Sequence, residues 1–347
     1  MAETETQSLL FQPSPYGNLD AIVEHDGRAI YFYLNGPAPF GMRACWVANL
    51  QTGPLEFNQH DLQFGLAPLL PRVHCMDPNP STIPDSDDLE IVWFEEGNGA
   101  ALVSRDKLLA VIPPWSGLDG FHGYAANCAS ENMVCWPMPP GQEIERRVTQ
   151  AREFWKHWND DPPFRTFQPD ALAEYEKRFG RQEKYFAIDG GKFPPRGLVL
   201  LKGESGTRHL VTVGMSLCPQ PGPVSDSVPE NFQPSIELAA RIPSSITSDD
   251  AIDQLAQRMS SLAALPWKNF SWLGHGHSCD FLKNDPAMAC AFFCGDDQMP
   301  ESPTDWKLPT GIPGHPPSII LWVLPLSKNE LDQLRSGALS LEQLAGR

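Results

Sequence analysis

The stretch His275-Gly276-His277-Ser278-Cys279-Asp280 holds the densest set of groups able to do chemistry in this chain. On a strand, alternate side chains share a face. His275, His277 and Cys279 would then present two imidazoles and a thiol together, with Asp280 beside them. Three such donors can hold zinc when a fourth joins them. Zinc sites usually draw ligands from more than one segment, however, and no Cys-x-x-Cys or second ligand pair is written elsewhere. The same residues could make a nucleophile, with His277 taking the proton of Cys279. That chemistry needs a third group to orient the imidazole and donors for an oxyanion, and no motif around Cys279 supplies them. The expectation is no metal and no cofactor, with His275 and His277 forming a polar binding rim.

A second constellation lies earlier. Glu95-Glu96, Asp119 and His122 sit among Trp93, Trp115, Phe121 and Tyr124. Paired carboxylates flanked by tryptophan suit glycoside hydrolysis. Glu95-Glu96 falls at a hairpin tip, though, where solvated turn charge is expected. Trp115 to Tyr124 reads better as a rigid aromatic loop. Aromatic anchors carry much of the energy of protein interfaces, so Trp115, Phe121, His122 and Tyr124, with Trp272, His275 and His277, are the candidate partner contacts. Cys290 and Cys294 read as buried thiols beside Phe292. No Gly-x-Gly-x-x-Gly or P-loop occurs, and Gly203-Glu204-Ser205-Gly206 lacks the spacing of a nucleophile elbow.

The elements that would position these groups are mostly strands. The first dozen residues are polar and expected to fray. Short apolar runs follow at 21–23, 29–34, 44–47, 89–94, 100–103 and 107–112. His25-Asp26-Gly27-Arg28 and Glu96-Gly97-Asn98-Gly99 read as hairpin turns between them. From Gln142 to Trp158, Ile144, Val148, Ala151, Trp155 and Trp158 recur at helical spacing. Asp160-Asp161-Pro162-Pro163 stops that helix. A second helix is predicted over Pro169–Phe179, with Pro169 in its first turn, Leu172, Tyr175 and Phe179 on one face, and Gly180 ending it. Strands resume at 197–201, 209–213, 236–242, 287–293 and 318–324. An amphipathic helix over Thr247–Leu265 lies among them, with Thr247 and Asp250 resembling a capping box. Ser327 with Glu330 opens a last short helix that Gly337 ends. The fold class is α+β: a β-rich domain of unassigned type over 1–140, a helical junction over 141–166, and a second β-rich domain over 167–347, both with covering helices.

Composition narrows the function. The formal charge is −17, from 43 acidic against 26 basic residues. Such a field repels nucleic acid and anionic membranes and favours basic partners. No apolar run reaches the roughly 20 residues that cross a bilayer. The N-terminus, Met1-Ala2-Glu3-Thr4-Glu5-Thr6, is acidic where a signal peptide is basic, so a cytoplasmic protein is expected. The eight cysteines then read as reduced, buried thiols.

Four segments in the second half carry a resemblance. They are His209-Leu210-Val211-Thr212-Val213-Gly214-Met215-Ser216, Glu237-Leu238-Ala239-Ala240-Arg241-Ile242-Pro243, Trp272-Leu273-Gly274-His275-Gly276-His277-Ser278, and Ile319 to Leu331 through Pro325-Leu326-Ser327-Lys328. In this order they resemble the Suppressor-of-fused (SUFU) family, in its bacterial form, from about Phe167 to the C-terminus. The resemblance implies an α+β domain used for protein–protein contact and not an enzyme. Animal members hold a transcription factor by strand addition, and bacterial members look like immunity proteins that neutralise polymorphic toxins. The expected function is an acidic binding protein of this immunity type, its partner a basic toxin domain. The rivals are a hydrolase, using a metal at His275/His277 or carboxylates in the first domain, and a regulatory partner of an intracellular factor.

Overall fold

The structure is a computed structural model that describes residues 6–223, 229–244, 246–282, 284–299, 306–309, 312 and 317–345. It is α+β, with three sheets and, among the described residues, six α-helices. The chain divides into two compact units, Met1–Asn159 and Asp160–Arg347.

The first unit opens with an antiparallel meander of β1 (Gln7–Pro13), β2 (Asp20–His25), β3 (Ala29–Asn35) and β4 (Met42–Asn49). Of the first dozen residues, Gln7 to Gln12 are thus not frayed, and 1–5 lie outside the described residues. Their polar look reflects an edge strand: β1 pairs only with β2, with a register shift between Ser8 and Leu10, and Phe11 remains exposed. In β2 the side chains alternate, with Ala21, Val23 and His25 buried. After α1 (Gln59–Gln63) comes a second sheet of β5 (Leu89–Trp93), β6 (Ala100–Ser104), β7 (Lys107–Ile112), β8 (Tyr124–Ala125) and β9 (Trp136–Pro137), antiparallel except for its last pair. α2 (Glu143–Asp160) lays Ile144, Val148 and Ala151 on Val92, Phe94, Ala101, Val103 and Val111. Its fourth core residue is Phe154 and not Trp155, whose indole N–H instead donates to the Trp93 carbonyl (2.7 Å).

The second unit begins with α3 (Phe164–Phe179), which starts five residues before Pro169. Phe167, Ala171, Tyr175 and Phe179 form its buried face in steps of four, so Leu172 is displaced to half-exposure and Pro169 lies inside the helix. The unit's sheet has seven strands in the order β10 (Arg181–Ala187), β11 (Gly197–Lys202), β12 (Arg208–Val213), β13 (Ile236–Ile242), β16 (Ile319–Leu326), β15 (Cys290–Gly295), β14 (Ser278–Asp280). β13 and β16 are its parallel pair. β10 was not legible in the sequence because, as an edge strand, it is charged and largely exposed. β15 begins at Cys290, three residues after the predicted start; Pro286–Met288 forms a 3-10 turn instead.

Between β13 and β14 runs α4 (Asp249–Asn269), burying Ile252, Leu255, Met259 and Leu262 as expected. Its N-cap is Ser248 and not Thr247: the Ser248 hydroxyl accepts the Ala251 N–H. The closing helices are α5 (Lys328–Arg335) and α6 (Leu341–Ala345). α5 carries the predicted capping box. The Glu330 N–H donates to Ser327 Oγ (3.2 Å), and the Ser327 N–H donates to Glu330 Oε2 (2.9 Å).

Candidate partner-binding surface

The His275–Asp280 stretch does not lie on one strand. Gly274 to His277 is a turn closed by the His277 N–H on the Gly274 carbonyl (3.1 Å), and Gly276 takes φ 87° at its third position. β14 starts only at Ser278. The two imidazoles and the thiol are therefore pulled onto different neighbours. His275 Nδ1 accepts the Gly295 N–H (3.3 Å), whereas His277 packs on Trp272 with ring centres 4.2 Å apart. Cys279 is half-buried, and burial lifts its thiol above the ordinary range, which disfavours the thiolate a nucleophile requires. Among the described residues no group of three or more His, Cys, Asp or Glu is arranged to hold a metal ion.

The turn fixes an aromatic cluster instead. Trp272 stands between His277 and Phe232, the latter edge-on at 5.4 Å. Its ring lies so close over Gly274 that a Cβ there would come within 2.3 Å of it, so only glycine lets the indole fold back. Below, Gln220 is fully buried and clamps the loop: its amide N–H donates to the Leu273 carbonyl (2.9 Å) and its Oε1 accepts the Leu273 N–H (2.9 Å).

His275 then lines a cleft of about 260 Å³ where β13 and β16 begin. Ile236, Leu273, Ile319 and Leu321 give it apolar lining, and Glu230, Asn231, Gln233, Asp297 and Gln298 give it acids and amides. Among the described residues, no lysine or arginine lines it. The neighbouring acids Asp296 and Asp297 are used differently. Asp296 is held by Arg178 (2.6 and 2.9 Å) and by the Trp322 indole N–H (2.7 Å). Asp297 is exposed, its carboxylate accepting the Gln298 amide N–H (2.8 Å), and among the described residues neither it nor Glu230 has an ion-pair partner. At 260 Å³ the cleft is smaller than the roughly 300–1,000 Å³ of small-molecule sites.

In the first unit the aromatic loop is equally well fixed. The Gly117 N–H donates to the Phe121 carbonyl (2.7 Å), the Phe121 N–H donates to the Leu118 carbonyl (2.8 Å), and the Ser116 hydroxyl donates to the His122 carbonyl. Trp115 is 42% exposed, with Leu118 exposed beside it in the loop. Phe121 is 5% exposed and packs on Tyr124 and Trp136, with ring centres 4.8 and 4.9 Å away. It supports the loop from beneath and does not present an anchor. His122 and Tyr124 are half-buried.

Glu95 is not a solvated turn charge. It is 6% exposed, and Arg147 from α2 bridges it (3.1 Å) and Glu96. Burial still raises the Glu95 carboxyl above its ordinary range, with Arg147 opposing and Glu96 adding to the rise. A second buried glutamate went unmarked in the sequence. Glu237 on β13 is 0% exposed; its Oε1 accepts from the Gly214 N–H (2.8 Å), the Ser216 N–H (3.0 Å) and the Ser216 hydroxyl (2.8 Å), and its Oε2 accepts the Thr212 hydroxyl (2.6 Å). Its alternation with Leu238 could have flagged a charge on a central strand, but not its partners.

Residues 194–345 match the family model of the Suppressor of fused protein (SUFU), so the C-terminal half of the chain carries a Suppressor-of-fused domain. The match takes in all four segments that suggested it. The chain is also similar to the crystal structure of a SUFU (suppressor of fused protein) homolog from Neisseria gonorrhoeae FA 1090, with 13% identity, 52% of this chain and 88% of that chain covered, and a TM-score of 0.34. Similarity to the Sufu-Fu complex is at 12% identity, with 48% and 77% covered and a TM-score of 0.32. No curated protein matches the chain. Among the described residues, no helix is long and apolar enough to cross a membrane.

Proposed function

We propose that this chain, with a Suppressor-of-fused domain as its C-terminal half, is a protein-binding module for a basic partner, an immunity-type inhibitor that neutralises a cationic toxin by covering its surface. The cleft beside His275 carries the reading. Apolar lining below unpaired carboxylates fits the aliphatic stem and charged head of a lysine or arginine. The rigid Trp272 rim supplies an anchor next to it, and the net charge of −17 steers a basic protein toward it. Catalysis has less support, since Cys279 is held as a thiol and His275 and His277 serve different neighbours.

Capture of a partner from the native lysate tests this, using wild type and the variants Asp297→Lys and Trp272→Ala. The expected result is one basic protein bound in stoichiometric amount, weakened by salt and lost with Asp297→Lys. Equal capture by wild type and both variants would remove the cleft from the interface. A captured partner of acidic charge would overturn the toxin reading itself.

A further inference from the structure

The first unit gathers Cys45, Cys75 and the pair Cys128 and Cys135, from three separate stretches of sequence, into one neighbourhood. Cys75 and Cys128 face each other across an isolated antiparallel bridge. Cys128 and Cys135 are closer still, because the chain between them turns back on itself: the Asn132 N–H donates to the Cys135 carbonyl (3.3 Å). The Asn132 side chain lies inside this turn, its Nδ2 3.4 Å from Cys128 Sγ and 3.7 Å from Cys135 Sγ. Cys128 Sγ also lies 3.8 Å from the Cys135 carbonyl oxygen, and Cys135 Sγ lies 3.9 Å from Asn132 Oδ1. Two sulfurs sharing one amide nitrogen, at the ends of a short turn, are neighbours that adjustment of the side chains and the turn can bring to bonding distance.

We propose that Cys128 and Cys135 are a redox modification site, a thiol pair that a small-molecule disulfide converts into an intramolecular disulfide. The electrostatics assign the roles. The Cys135 side chain beside it, with help from the Asn132 amide, holds the Cys128 thiol below its ordinary range; the same proximity and burial push Cys135 far above it. Cys128 thiolate attacks one sulfur of the reagent, forming a mixed disulfide and expelling one thiolate. Cys135 then loses its proton to that thiolate or to solvent and attacks Cys128 Sγ, expelling the second. Two protein thiols are oxidised by two electrons, and the reagent disulfide is reduced to two thiols. Cys128 is 2% exposed and Cys135 0%, so the reagent enters when the turn lifts. Ala129, Ser130, Glu131 and Met133 are its exposed outer face. It is held to its surroundings by the Ala129 N–H on the His74 carbonyl (2.8 Å) and by the contact of Ser130 Oγ with His74 Nδ1 (2.7 Å).

The test treats the folded full-length protein with 2-hydroxyethyl disulfide and follows intact mass and mapped peptides. Wild type should lose two hydrogens and yield a peptide linked through Cys128 and Cys135. Cys135→Ser should stop at a mixed disulfide on Cys128, and Cys128→Ser should give neither product. Thermal melting checks that each variant is folded, and wild-type mapping alone decides if one is not. A link from Cys75 to Cys128 overturns the pairing. Adducts confined to half-exposed Cys75 or Cys279, with Cys128 and Cys135 alkylated only after denaturation, overturn the site.

Discussion

Each unit buries a glutamate, and the two neutralise it by opposite means. In the first, Glu95 faces a single arginine reaching in from α2, and Glu96 shares that arginine. In the second, Glu237 has, among the described residues, no cation but four hydrogen-bond donors from the turn after β12 and from Thr212. The first solution joins a hairpin to a helix through charge. The second ties a strand to its neighbour through backbone amides and hydroxyls, which no other side chain can replace in the same place. Tyr175 adds to this network by donating its hydroxyl proton to the Thr212 carbonyl (2.8 Å). The lesson is that the second unit holds its buried carboxyl with neutral donors from the neighbouring strand and turn, whereas the first unit relies on an opposite charge.

The largest test of that contrast is Glu237→Ala, expected to cost about 3–5 kcal/mol in denaturant unfolding, as for other broken buried polar networks. Glu237→Gln should lose less, because the amide oxygen still accepts from part of the set. If Glu237→Ala costs under about 1 kcal/mol, the typical net worth of one hydrogen bond, the network is not the support described. Arg147→Met should come next, at roughly 2 kcal/mol, since it leaves Glu95 buried without its counter-charge on a site still partly open to water. Adding Glu95→Gln to it should restore part of that loss.

Acidity offers a finer comparison. Burial raises both carboxyls, outweighing the four donors at Glu237 and the arginine at Glu95. A raised carboxyl favours folding while protonated, below the unfolded value near 4.5. That contribution is lost as pH rises from there through the raised folded value. Wild type measured against Glu237→Gln should therefore lose relative stability on going from pH 4.5 upward. A flat difference across that range would show that the donors hold the carboxylate ionised throughout.

The smallest effects separate the two aromatic loops. Trp272→Ala removes a ring packed between Phe232 and His277 and should cost about 1–2 kcal/mol of stability as well as binding. Trp115→Ala, at an exposed tip, should stay within about 0.5 kcal/mol of wild type. Melting curves of the two variants distinguish a structural rim from a free one.

What the sequence made legible follows the physics of each signal. Residues with period 3.6 and a deep core, such as Ile252, Leu255, Met259 and Leu262, announce their helix without help. The Ser327–Glu330 box works because both hydrogen bonds are local. Edges were hidden: Gln7–Pro13 and Arg181–Ala187 carry polar residues so that they do not pair further, and that camouflage reads as loop. The burial of Glu95 was hidden because its partner lies 52 residues on. His275 was marked as a rim residue from its type alone, yet the cleft it lines is assembled from segments around Glu230, Leu273, Asp297 and Ile319. No window of sequence contains that set. Cys128 and Cys135 were counted among the inert thiols because spacing cannot reveal a shared amide.

The place of β16 in its sheet has a consequence for how the protein is made. Among the described residues this is the last strand, yet it sits inside the sheet, between β13 and β15. Its parallel partner Ile236 waits for Ile319, and closing so long a span is costly and slow. While the chain is being synthesised, β13 and β15 stand with open edges until Leu326 has left the ribosome. During that interval the nascent domain is a client for chaperones. A message cut short before Ile319 yields no partial Suppressor-of-fused domain, only a sheet in two pieces.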